Sequence, residues 1–529
     1  MSKGRAVVLE IDKDAAVTAL HNIGAQKIFD STITTEMYEC NKRFEVKPSN
    51  ENSDLYDRLR LLLDGSQQDI RLELRQEADT LQITLDGSVV NKMKEKPTIT
   101  AQPSERKAIS ELFVAHGFNR VSFQQQKRIA YMYEPLNVRY NINTWPSIPT
   151  YIEISSNDED AIAAAACLIG YQEDNLESYD DTELFKWYSA SPTYMSFADG
   201  EVELTHSKLQ NIVHVVIKRH GAHLSKNEIK LIADHYIRAE YSGKKTHGLR
   251  KLCWDVQYYS DRLGIPKLVK ESPALALFDG QYEIGPIAAD LGVREVIQRA
   301  TKNGVAIVGI TGAQRFGTLA TWTAEIAKAG LIGILTTSTE PFTALPETAK
   351  GVIGTNPLSI SVPYKSMPIV YDAALSKAPV NMMWLYRLLG LELPGETFID
   401  STGHYTKDPF TSRYVDVFGG AKGSGLALML QLLSGPLMGM ATHTSFSDPY
   451  ENAFYFQAID PTVFQTREQF EKQVEGFIEF ARQAPLREGV SDLHLPGETS
   501  RRTLEHTQKQ QTVRIHAGVA GWIEFLGGN

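Results

Sequence analysis

The stretch VAIVGITGAQRFGTLATWTAEIAKAGLIGILTT, Val305 to Thr337, decides how the second half of this chain folds. VAIVGIT and GLIGILTT are short apolar runs that flank the helical TLATWTAEIAKAG, the pattern of a βαβ unit. Helix and strand signals keep alternating around it. Upstream, SKNEIKLIADHYIRAEYSG opens with Ser225 and Glu228, a capping box, and carries Ile229, Ile232, Ala233 and Ile237 on one helical face. Downstream, VIGTNPLSISVP and PIVYDAALS read as further strands. An α/β domain is therefore expected over 203–529. The pattern invites a Rossmann reading, but no G-x-G-x-x-G follows any strand, so no familiar nucleotide fold can be argued from motif. GITGAQRFG and GGAKGSGLALM are glycine-rich without that spacing, and Lys422 lacks the glycines that a Walker A loop places before it.

Residues 1–188 read differently. RAVVLEID, DIRLELRQ, DTLQITLDGSVV, QKRIAYMYE, LNVRYNINTW and TYIEIS are short β-type runs, divided by turn signals such as Asp86-Gly87. Helical stretches ending at Gly24, Gly117 and Gly170 interrupt them, each with a polar start and a glycine stop. This is the pattern of an α+β domain on an antiparallel sheet or barrel. A linker is expected over 189–202, where Pro192 and Gly200 fall and no period is sustained.

Composition narrows the function. The chain has 529 residues, 42% hydrophobic and 22% charged, a length that calls for two or three domains. A net charge of −10 argues against a nucleic-acid partner, and no polybasic run marks a membrane surface. The most apolar run, SGLALMLQLLSGPLMGMA, is broken by Gln431, Gly435 and Pro436 and is expected to be a buried amphipathic helix. Cys40, Cys167 and Cys253 form no metal spacing, so no metal site is expected. The N-terminus turns polar too early for a secretory signal, and a cytoplasmic location is expected.

In SGKKTHGLRKL, Ser242 to Leu252, a histidine stands between two glycines among cations. Taken alone, His247 could be a proton carrier or a helix cap. The wider pattern resembles the malate/L-lactate dehydrogenase family, whose members include ureidoglycolate dehydrogenase and diketogulonate reductase. The resemblance rests on this block together with GTNPLSISVP, YDAALS, TKDP, GGAKGSGLALMLQLLSGPLMG, FQAIDPTVF and LPGE, in the family's order. It implies an NADH- or NADPH-dependent oxidoreductase with a non-Rossmann fold, acting on a small anionic 2-oxo or 2-hydroxy acid, and a homodimer. His247 is then the proton donor, a role that suits an imidazole near its ordinary pKa. Asp372 is implied as the strand-end aspartate that orients it. Pro368, Ile369, Val370, Tyr371, Asp372, Ala373 and Ala374 are implied to contact the cofactor, with Ala421 and Lys422 at a glycine-rich helix start and Gly497, Glu498 and Thr499 in a turn.

Three positions depart from the family's pattern. Lys251 stands where the family has a carboxylate-clamping arginine, while an arginine falls one place earlier, at Arg250. Lysine keeps the charge but not the planar two-pronged grip. Arg315 in AQRFG replaces a second family histidine, and Asn381-Met382 replace a Gly-Lys pair. The expected substrate-binding residues are therefore Lys251, Arg250 and Arg315, in a remodelled pocket.

The first domain resembles the CYTH superfamily of class IV adenylate cyclases and thiamine triphosphatases, which hold a triphosphate in a β-tunnel. DIRLELRQEADTLQITLDG, QKRIAYMY, YIEIS and ESYDDTEL carry that likeness. Arg71, Arg75, Lys127 and Arg128 are the anion-binding candidates it implies, with Glu73 and Glu153 between them. The first strand offers Gly4, Ala6 and Val8 where the superfamily has its metal-binding ExExK, and Asp86 replaces a lysine. Two-metal phosphoryl chemistry would lack ligands there. Binding or scaffolding is expected of this domain. A phosphohydrolase led by it, or an inactive scaffold, is the alternative to the oxidoreductase.

Overall fold

The structure, a computed structural model, describes residues 4–40, 70–86, 97–115, 117–188, 191, 193–365, 367–440, 450 and 452–528. The chain divides into two compact units, Met1–Asp199 and Gly200–Gly527.

The first unit is built on strands β1 (Arg5–Val8), β2 (Gln26–Cys40), β3 (Ile70–Glu77), β4 (Thr80–Asp86), β5 (Thr98–Ala101), β6 (Asn119–Tyr133), β7 (Val138–Trp145), β8 (Ile148–Ser155) and β9 (Tyr194–Met195). Their order is β1-β8-β7-β6-β2-β3-β4-β5, with every neighbour on this path antiparallel and β9 added in parallel to β6. The stretch 189–202 is thus not a free linker. Tyr194 and Met195 pair with Phe123 and Gln124, and Phe197 donates to the Gln125 side chain at 2.9 Å. That pairing is non-local, so no local period announces it.

One face of this sheet is apolar. Leu72, Leu74, Leu81 and Ile83 pack on Ile109 and Phe113, and Ala6, Val8, Tyr140, Ile142, Ile152 and Ile154 pack on Ile162 and Ala166. The register carries the polar residues to the other face. Arg75 opposes Thr35, which opposes Gln124; Arg128 opposes Asn143; Asn141 opposes Glu153. Arg71, Glu73, Arg75, Arg128 and Glu153 therefore share one face. Lys127 cannot join them, since neighbouring residues of a strand point to opposite faces; its ammonium lies 4.5 Å from the Phe197 ring centre. In β1, Ala6 and Val8 face the apolar core, leaving Arg5 to the polar side, where it pairs with Glu153 at 3.1 Å.

The second unit contains β10 (Glu201–Thr205), β11 (Lys267–Glu271), β12 (Leu275–Asp279), β13 (Val305–Thr311), β14 (Ile332–Thr337), β15 (Thr343–Ala344), β16 (Gly351–Ile353), β17 (Leu358–Val362), β18 (Ile369–Ala373), β19 (Phe398–Asp400), β20 (Tyr405–Thr406), β21 (Ser412–Asp416), β22 (Ala453–Ile459) and β23 (Thr512–His516). A seven-stranded sheet runs β11-β12-β13-β22-β14-β17-β18, and a five-stranded sheet runs β16-β15-β21-β19-β20. The βαβ expected over 305–337 is present, with the helix Ala320–Lys328 between β13 and β14. Its two strands are not neighbours, because β22 lies antiparallel between them. The helix Gly285–Asn303 packs so closely on β22 that a Cβ at Gly292 would lie 2.5 Å from Phe456. Val308, Ile310, Phe456, Leu335, Trp322 and Ile326 form the core here.

The capping box at Ser225 and Glu228 forms as expected, and Ile229, Ile232, Ala233 and Ile237 are buried. The helix Gly420–Ser434 departs from expectation. It buries Ala427, Leu430 and Gln431 but exposes Leu426, Met429, Leu432 and Leu433, Met429 by 57%. Among the described residues, one of its sides packs on the sheets and the other is exposed. No helix among the described residues is long and apolar enough to cross a membrane.

Candidate functional site

The site is organised by the loop Gly312–Leu319, which leaves β13 at the edge where β18 ends. Each residue of its centre touches a different element. Gln314 donates to the Tyr258 carbonyl at 2.7 Å, and Arg315 pairs with Glu340. Gly317 lies against His247, whose carbonyl oxygen would be 3.2 Å from a Cβ built there. Thr318 donates to Asp372 at 2.8 Å.

His247 is placed by the chain that follows the helix Lys226–Tyr241. Gly243 turns it at a φ of +78°, and the His247 amide donates back to the Lys244 carbonyl at 2.9 Å. Gly248 then has to approach Glu240, where a Cβ would lie 2.2 Å from the carboxylate. That buried carboxylate accepts from the Leu249 amide at 3.0 Å, capping the next helix, and from Lys245 at 2.7 Å. The half-buried imidazole holds its Nδ1 2.8 Å from Thr246 Oγ1. Burial, followed by the charges of Lys244 and Lys251, lowers its pKa to about 4 against the opposing charge of Asp372.

Asp372 stands in β18 opposite Ser359. Its carboxylate accepts from Lys244 at 2.7 Å, Thr318 at 2.8 Å and the Ala320 amide at 3.2 Å, at the start of a helix. Asp372 is expected to orient His247, and no hydrogen bond joins the two among the described residues. Among the described residues its hydrogen bonds go to Lys244, Thr318 and Ala320, and it reaches His247 through its charge.

The expected substrate cations are not equivalent. Lys251 is held by both oxygens of Asp255, at 2.8 and 2.7 Å, and Tyr236 also donates to that carboxylate. Arg315 is tied to Glu340. Arg250 has no ion pair among the described residues. It lies 6.0 Å from the Trp384 ring centre, and burial lowers its pKa to about 10. Trp384 belongs to the helix Asn381–Leu389, whose Asn381 donates to the Thr246 carbonyl at 3.4 Å.

The three stretches expected to contact cofactor come together. The Val370 amide, in the run Pro368–Ala374, donates to the Pro496 carbonyl at 3.3 Å, and a Cβ on Gly497 would lie 2.9 Å from the Val370 carbonyl oxygen. The Phe418 amide donates to the Leu375 carbonyl at 2.8 Å, which brings Ala421 and Lys422 to the same place. Gly419 and Gly420 turn at φ of +71° and +55°, and a Cβ on Gly423 would lie 1.5 Å from the Phe418 carbonyl oxygen. A helix start this tight, beside an exposed Lys422, suits a phosphate. Exposed Tyr371 adds a flat surface on β18. Glu498 does other work: its carboxylate is committed to Arg482 at 2.7 Å and to the Leu495 amide at 3.1 Å.

Sequence reasoning missed Lys244, Thr246, Thr318, Asp255 and Glu340. Asp255 was detectable, four residues after Lys251 on one helix. Glu340 carries no local signal toward Arg315. His235 was missed as well. It is 2% exposed, stacks on Trp322 at 5.1 Å, and beside Gly317 its two ring nitrogens have no partner among the described residues.

A neutral imidazole coupled to a carboxylate and an ammonium, in a unit that also carries a glycine-rich helix start, suits a nicotinamide-dependent dehydrogenase. A family model described as malate/L-lactate dehydrogenase matches residues 204–523, more than half of the chain, and the chain belongs to that family. The malate dehydrogenase of Pyrococcus abyssi is 27% identical over 329 residues, covering 58% of this chain and 89% of that protein. The NAD(+) ureidoglycolate dehydrogenase of Escherichia coli O157:H7 is 26% identical over 293 residues, covering 52% of this chain and 83% of that one. The solved structure of sulfolactate dehydrogenase from Methanocaldococcus jannaschii is 25% identical, covers 61% of this chain and 95% of its own, and superposes with a TM-score of 0.54. The second unit is accordingly a dehydrogenase of the hydroxy-acid class.

Proposed function

We propose that the second unit moves hydride between a nicotinamide and the carbinol carbon of a small 2-hydroxy acid, with His247 as the proton carrier. The observation that carries this is the neutral His247 beside the Lys244–Asp372 pair. Pro368–Ala374, Ala421, Lys422, Gly497 and Thr499 would hold the dinucleotide, and the bound nicotinamide supplies the hydride-accepting carbon. With Nδ1 against Thr246, Nε2 is the nitrogen left for the substrate. It takes the hydroxyl proton as the carbinol C–H bond breaks, and returns it to the carbonyl oxygen in the reverse reaction. Arg250 holds the substrate carboxylate, being the one of the three candidate cations with no ion pair among the described residues. The cofactor is NADH or NADPH.

Replacing His247 by Gln is expected to cut turnover about 10²- to 10⁴-fold while nicotinamide binding, read by fluorescence, persists. Full turnover in that variant would remove His247 from the reaction. The exposed apolar side of Gly420–Ser434 supports a homodimer formed through it. The CYTH-like first unit binds an anion on its polar face without hydrolysing it. Arg5, Arg75 and Arg128 lie there, and the β1 residues on that side, Arg5 and Val7, offer no carboxylate for a metal.

A further inference from the structure

We infer that Arg315, an arginine where the family's pattern has a histidine, is the residue that selects the far end of the substrate, gripping a second carboxylate through the Nε–Nη2 edge of its guanidinium. This rests on the function proposed above, in which Arg250 takes the first carboxylate. Arg315 meets the chain's own carboxylates through one nitrogen, Nη1, which pairs with Glu340. Its Nε and Nη2 are buried and have no partner among the described residues. Charged donors taken out of water without acceptors are costly to keep. Nε and Nη2 also lie side by side, and the two parallel N–H groups of that edge match the two oxygens of a carboxylate.

The arginine is fixed before any ligand arrives. Its carbonyl packs so closely on the start of the helix Gly285–Asn303 that a Cβ on Gly285 would lie 2.6 Å from the oxygen. Gln314, the residue before it, is tied to the Tyr258 carbonyl at 2.7 Å. Glu340 follows Thr339, whose hydroxyl accepts from the Thr355 amide at 3.0 Å. A guanidinium held at its backbone and at Nη1 has little freedom left to lose on binding. It also stands near the chemistry. Gly317, which lies against His247, is two residues further along the loop, and two residues span at most about 7 Å. Glu340 and the incoming carboxylate take different nitrogens of one guanidinium, so each anion has the cation to itself on its own side. Glu340 is on this reading a positioning residue, and Arg315 the one that touches substrate.

The test is a comparison of kcat/KM, with either nicotinamide, for malate, which ends in a carboxylate, and 2-hydroxybutyrate, which ends in a methyl group. Malate is expected to exceed 2-hydroxybutyrate by about thirtyfold or more, the scale of one buried charge pair. Arg315→Gln should remove most of that preference, and should raise KM for malate more than it lowers kcat, because the grip is made alike in the ground and transition states. Arg315→Lys keeps the charge beside Glu340 but not the two-pronged edge, and should restore only part of the preference. A neutral-ended acid turned over as well as malate by the unaltered enzyme overturns the inference alone, whether or not the variants fold. A malate preference that survives in a folded Arg315→Gln enzyme overturns the assignment to Arg315. No turnover of either acid overturns the proposed function, and the inference falls with it.

Discussion

His247 owes its readiness to its surroundings. An exposed histidine titrates near about 6.5, but burial and the ammonium groups of Lys244 and Lys251 bring this one to about 4. It is therefore neutral through the physiological range and can accept a proton without first losing one. Alcohol oxidation should hold its rate at neutral pH and fall only as pH drops toward about 4, where the base becomes protonated. Lys244→Met removes a charge that depresses His247 and leaves Asp372, which raises it. The acid limb of the oxidation profile should move to higher pH, measured as kcat/KM against pH. A limb that stays in place would mean that Lys244 does not act on His247. The same depression bears on stability. The unfolded chain binds a proton below about 6.5 that the folded site refuses until about 4, so acidification through that window destabilises the fold.

At the scale of elements, the sequence made the local parts legible and left the pairings hidden. The βαβ of 305–337, the capping box at Ser225 and the apolar face of Lys226–Tyr241 follow from periods and caps that a short window contains. The insertion of β22 between β13 and β14 brings together residues more than a hundred positions apart, and nothing local encodes it. The candidate site divides in the same way. Arg250, Lys251 and His247 fall in one motif, whereas the partners that decide which cation is free are Asp255, one helical turn on, and Glu340, on a distant loop. The helix Gly420–Ser434 is the other misreading, since apolar composition does not say whether the covering surface comes from the same chain. Met429→Glu on its exposed side is expected to turn a dimer into a monomer by sedimentation, with thermal stability of the isolated unit little changed. An unaltered protein that sediments as a monomer would contradict the homodimer.

The whole molecule joins a hydroxy-acid dehydrogenase unit to an antiparallel unit with an arginine-bearing polar face. Asn143 is wholly buried on that face, its Nδ2 without a partner among the described residues and its Oδ1 accepting from Arg128 at 2.8 Å and Gln126 at 3.0 Å. Tripolyphosphate should bind there without magnesium and without release of phosphate, and Arg128→Ala should abolish the binding by calorimetry. Magnesium-dependent phosphate release lost in Arg128→Ala would instead make the first unit a phosphohydrolase. The central claim concerns the second unit, and one measurement addresses it most directly: the single-turnover rate of nicotinamide reduction by a 2-hydroxy acid, in the unaltered protein and in His247→Gln. The account predicts cofactor binding in both and a loss of about a hundredfold or more in the variant; an equal rate in the two proteins would contradict it.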